Sequence, residues 1–123
     1  MDREGFESLV SKAIEDLPME FLDLLENVDI VVEDYPTTEQ LRKSAIGHAE
    51  TLLGLYEGVP QTRRTSGYNM VLPDKITIFQ KPIETQCSNN EQVYIEVKKT
   101  LKHEIAHHFG IDDERLKDLG KKI

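Results

Sequence analysis

The sequence predicts an α/β domain of the α+β kind. Helices come first, a small mixed sheet of about three to four strands follows, and a long helix and a short C-terminal helix close the chain. Three observations predict this order. Apolar residues recur at three- and four-residue steps over the first 17 positions, short β-branched runs lie in the middle, and helical spacing returns from Glu91 to Phe109.

Phe6, Leu9, Val10, Ala13, Ile14 and Leu17 make the stripe of an amphipathic helix, with Asp2 as its cap and Pro18 as its stop. A second short helical stretch carries Phe21, Leu22, Leu24 and Leu25. Val28 to Glu33 is β-branched and bounded by polar turns, so it reads as a strand. Thr38 to Ala45 is expected to form a capped helical turn with Thr38 and Glu39 at its start. Leu52 to Glu57 reads as a second strand, ending at Gly58-Val59-Pro60. From Gln61 to Asp74 the periodicity is lost, which predicts a long surface loop of the kind that is either functional or mobile. Lys75 to Phe79 alternates as a half-buried strand should, Pro82 is expected to open a short helix to about Thr85, and Ser88-Asn89-Asn90 breaks the chain. Val93, Ile95, Val97, Leu101, Ile105 and Phe109 suit one helix, since a strand of that length would be unusual. Gly110 stands where a helix C-cap is expected, and Asp112 and Asp113 start a last helix through Leu116 and Leu119.

The 123 residues suit one domain, 1–123, which should bury roughly 65–70% of its unfolded surface. Hydrophobic residues at 38% and charged ones at 31% are ordinary for a globular chain. Twenty-three acidic against 15 basic residues give a net charge of −8, which argues against a nucleic-acid partner because phosphate binding needs a basic surface. No secretory signal opens the sequence and no run nears the roughly 18 apolar residues of a membrane span. Cys87 has no partner for a disulfide, so a cytoplasmic protein without membrane association is expected. Nothing near Cys87 would lower its pKa, and the thiol reads as incidental.

The chemistry concentrates at His103-Glu104-Ile105-Ala106-His107. A helix advances about 100° per residue, so His103 and His107 can present two imidazoles to one ion, and imidazole suits zinc. Glu104, one residue on, can reach a water on that ion without occupying the ion itself, and zinc lowers the pKa of such a water from about 15.7 toward about 7. Two histidines on a helix face also occur as core or partner-contact residues, but the match extends further. Gly110 follows His107 by three positions and Asp113 by six, which in longer motifs of this type gives a sharp turn and a third ligand. Two readings of Asp113 stand side by side: zinc ligand, or part of an Asp-Asp-Glu helix cap. His108 points about 100° away from His107 and reads as a supporting or surface residue, and His48 has no paired partner. For an oxyanion-stabilising group Tyr56, Tyr68, Arg63 and Arg64 are candidates, though packing for Tyr56 and solvation for the arginines are the stronger readings.

His103 to Leu116, HEIAHHFGIDDERL, resembles the signature of the small zincin-like bacterial metallopeptidases sometimes called minimal zincins. Leu52 to Pro60, Leu72 to Phe79 and the opening FESLVSKAIEDLP match landmarks of that family too, so the resemblance covers most of the chain. It implies one zinc ion held by His103, His107 and Asp113, with Glu104 as general base, in a fold whose small sheet packs against the motif helix. It also implies a peptide or protein substrate, and small intracellular zincins that act on a regulatory protein would look like this chain. The alternative is a metal-binding regulatory or protein-interaction module without turnover, motivated by the small size of the chain. An RNA-cutting metalloprotein would need a basic groove, which the charge balance opposes.

Overall fold

In the computed structural model, which describes residues 1–44, 52–58 and 73–110, the first apolar stripe forms helix α1 (Arg3–Glu15). Asp2 caps it by accepting from the Gly5 N–H at 2.8 Å, and Phe6, Val10 and Ala13 are buried. The helix ends ahead of Pro18, which then stands as N-cap of α2 (Met19–Leu24). Strand β1 (Val28–Glu33) follows, then α3 (Thr38–Lys43). The α3 cap is Thr37, whose hydroxyl accepts from the Gln40 N–H while the Gln40 side chain accepts from the Thr37 N–H. Strands β2 (Gly54–Glu57) and β3 (Asp74–Phe79) precede α4 (Gln80–Thr85) and α5 (Asn90–Phe109). Helix α4 begins two residues before Pro82 rather than at it, because proline is tolerated in a first turn, where its missing N–H has no helical partner. Asn89 caps α5, and Gly110 closes it at φ 70°, in the left-handed region that favours glycine. The expected helix after Asp112 and the loop through residues 61–72 lie outside the described residues.

The described strands form one mixed sheet in the order β1-β3-β2. β1 runs parallel to β3 from Val28↔Asp74 to Glu33↔Phe79, and β2 runs antiparallel to β3 from Gly54↔Ile78 to Glu57↔Lys75. The Phe79 N–H donates to the Leu53 carbonyl at 2.9 Å, carrying that second ladder one residue beyond β2. As the central strand, β3 is buried from Ile76 to Phe79. Helix α5 is the hub of the core, touching α1, α2, α4, β2 and β3. Its buried apolar stripe is Val93, Val97, Leu101 and Ile105, a strict four-residue step. Ile95 and Phe109, expected on that stripe, are 55% and 41% exposed. Ile95 falls about 200° around the helix from Val93, and Phe109 lies where α5 has run past the core.

A polar knot the sequence did not announce fixes the start of α1 to the sheet. Arg3 donates to the Val32 carbonyl, to Asp34 and to the side chain of Gln80, and the fully buried Gln80 amide donates to the Met1 carbonyl. Each buried polar atom there thus meets a partner, which offsets its desolvation. The Tyr94 hydroxyl similarly donates to Asp16, joining α5 to the end of α1. Among the described residues no helix is long and apolar enough to cross a membrane.

Leu101→Ala, emptying the centre of the core, is expected to cost about 2–5 kcal/mol in urea unfolding. Thr77 has a fully buried hydroxyl with no hydrogen-bond partner among the described residues. Thr77→Val should therefore stabilise by roughly 1 kcal/mol in the same assay, and an equal loss would show that the hydroxyl is satisfied after all.

Candidate metal centre

With Val97, Leu101 and Ile105 turned into the core, α5 presents two other lines of side chains on its last turns. One carries His103 and His107, both exposed, with nearly parallel rings 11° apart and centroids at 6.3 Å. The second carries Thr100, Glu104 and His108, again at four-residue steps, and this line lies against the outer side of β2.

The contacts along that line run in step. A Cβ on Gly54 would fall 2.6 Å from Thr100 Cγ2 and 3.3 Å from the Thr77 carbonyl, so only glycine lets strand and helix approach this closely. Two residues further along β2 the Tyr56 N–H donates to Glu104 Oε1 at 2.9 Å. The Tyr56 ring stacks on His108 at 3.8 Å between centroids and 13° between planes, with Phe109 edge-on at 6.0 Å. The Tyr56 hydroxyl donates to Asp74 at 2.8 Å, tying the same residue to the start of β3. Two strand residues advance about 6.6 Å and four helix residues about 6 Å, so the match holds from Gly54–Thr100 to Tyr56–Glu104.

Glu104 is thereby half-buried between a helix and an edge strand. Burial pushes its carboxyl above the usual carboxylate range, while the Tyr56 N–H and the charges of His103 and His107 pull it back down. A carboxyl raised in this way and held by one oxygen is suited to taking and returning a proton. Two cavities meet at it. One of about 450 Å³ is walled by Lys43 and Ser44 at the end of α3, by Leu55 and Tyr56, and by His103, His107 and His108. The other, of about 370 Å³, shares His103 and Glu104 and extends past Gly54 and Thr100 to Gln86, Glu96 and Lys99.

The described donor set fits a zinc ion: two imidazoles one helical turn apart, with a carboxylate beside them. Among the described residues no group of three histidine, cysteine or acidic side chains is placed to hold an ion. Asp113 lies outside the described residues, as do Asp112, His48, Arg63, Arg64 and Tyr68. Of the oxyanion candidates only Tyr56 is described, and it serves packing and the hold on Glu104. Burial, and behind it Glu96, raises the Cys87 thiol pKa, in keeping with an unreactive cysteine.

A family model described as zincin-like metallopeptidase matches residues 25–122, more than half of the chain. Among solved structures, a conserved hypothetical protein from Thermus thermophilus is similar in fold, with a TM-score of 0.56 at 20% identity over 89% of this chain and 94% of that one. No curated protein matches the chain significantly.

Gly54→Ala should force β2 off α5 and destabilise by about 1–3 kcal/mol in chemical unfolding. Adding Thr100→Ser, which removes the methyl that the new Cβ meets, should recover part of that loss. Strictly additive losses would show that the close approach is not what requires glycine there.

Proposed function

The chain belongs to the zincin-like metallopeptidase family, and from that premise we propose that it is a zinc-dependent peptidase with Glu104 as its general base. The observation that carries this reading is the Tyr56 N–H held on Glu104 beside two near-parallel imidazoles one turn apart. His103 and His107 would hold the ion, with Asp113 as the third ligand that the motif spacing offers. Zinc supplies a Lewis acid that polarises a carbonyl and makes water more acidic.

The rest is done by the chain's own side chains. Glu104 is fixed through one oxygen by Tyr56, so its carboxylate keeps one orientation while it takes a proton from water and passes it to the departing amine. Burial strengthens its hold on that proton between the two transfers. The Tyr56–His108 stack keeps the edge strand against the helix while this happens, and the Tyr56–Asp74 hydrogen bond keeps it against β3. The substrate is a peptide or a protein, a regulatory protein being one such partner, and the net charge of −8 disfavours nucleic acid.

Glu104→Gln should retain one zinc by elemental analysis and lose about 10²–10⁴-fold in the cleavage rate of a peptide library, whereas His103→Ala should lose the zinc itself. Zinc bound at one equivalent, with wild-type cleavage no greater than that of Glu104→Gln, would replace this reading with a metal-binding module that has no turnover.

A further inference from the structure

Leu52 lines both cavities at Glu104, and it also lines a third, of about 320 Å³, whose described walls hold no histidine. The other walls of the third cavity are Tyr35 and Pro36 ahead of α3, Leu41 on α3, and Pro82, Thr85 and Gln86 of and just after α4. Among the described residues no charged one lines it, in a protein whose residues are 31% charged. The cavity beside Glu104, which shares Leu52 and Gln86 with it, carries both Glu96 and Lys99. Tyr35 is 66% exposed and Leu41 36%, so apolar surface stands open to solvent at its rim.

Helix α3 joins this pocket to the site. Leu41 faces the apolar cavity, while Lys43 and Ser44 at the same helix end wall the cavity of the histidines. Gln40 donates to Glu57 at 3.2 Å, which anchors α3 to the far end of β2. The apolar pocket thus has α3 along one side and adjoins the cavity of the carboxylate, with Leu52 and Gln86 as shared walls.

We infer that this pocket is a specificity subsite beside the same site, taking a large aliphatic or aromatic side chain of an extended polypeptide whose neighbouring residues lie at Glu104. The inference rests on the peptidase reading for the identity of the occupant. Its commitment to an apolar side chain comes from the uncharged lining, and its commitment to an extended segment from continuity with the site. Burial of a leucine-sized side chain there would account for about ten-fold or more in affinity.

The test reads binding, so that it stays separate from catalysis. Zinc-loaded full-length Glu104→Gln is panned against a random decapeptide library, and the selected peptides are measured by fluorescence anisotropy. One position enriched in Leu, Ile, Phe or Met is expected, with affinity about ten-fold weaker on adding Leu41→Glu or, separately, Tyr35→Ser. Both substitutions are at exposed or rim positions, and an unchanged far-ultraviolet circular dichroism spectrum confirms folding. No selection from the library, selection without an apolar position, or unchanged affinity in both folded variants would overturn the inference. Cleavage by the wild type separates the two readings. Apolar-dependent binding without any cleavage leaves the subsite standing and removes the peptidase, whereas cleavage indifferent to Leu41 and Tyr35 does the reverse.

Discussion

A carboxylate on a helix moves with its own rotamers unless something outside the helix holds it. Here that hold is the Tyr56 N–H on Glu104, and it exists only because β2 and α5 keep step with one another. Gly54 sets the separation at one point of the seam, and the stack of Tyr56 on His108 sets it at the other. The ladder to β3 then transmits the position of β2 to the core, since β3 is buried from Ile76 to Phe79. A methyl group at residue 54 would thus be felt at the Glu104 carboxylate, two strand residues away, through backbone rather than through any contact with the carboxylate itself.

The division of labour on α5 follows from its period. Val93, Val97, Leu101 and Ile105 spend one side of the helix on the core. Thr100, Glu104 and His108 take the flank that meets β2, and His103 and His107 take the outer side. One rigid element therefore supplies the packing, the docking of the strand and both imidazoles. Their mutual geometry is fixed by helix spacing and asks nothing of a loop.

Much of this was legible in the residues. The stripe of α1, its Asp2 cap, the strand Val28 to Glu33 and the Gly110 stop are local signals, and the structure has each of them. The pairing of His103 with His107 followed from four-residue spacing alone, and the near-parallel rings reflect it. What escaped was long-range. Ile95 looked apolar and therefore internal, because periodicity does not say which of two faces will meet the core. The ties from Arg3 to Val32, Asp34 and Gln80 join residues up to 77 positions apart, and no local pattern marks them. His108 was readable as a supporting or surface residue and no further. Its place against Tyr56 depends on a strand whose position could not be known before the sheet order was.

The parallel pairing of β1 with β3 bears on how the chain reaches this state. Val28 meets Asp74 across 46 positions, and β3 must be seated beside β1 and β2 alike to become the central strand. Contacts of such separation close slowly because loop entropy is lost before the pairing compensates for it. Helices α1 and α5 carry local signals, whereas β2 must meet both β3 and α5. The Glu104–Tyr56 hydrogen bond spans 48 positions and exists only while β2 is docked on α5, so it is absent from any state in which that edge is open. A nascent or partly opened chain would carry both imidazoles on a formed helix while its carboxylate was still unaligned, so the geometry needed for proton transfer arrives only with the completed sheet.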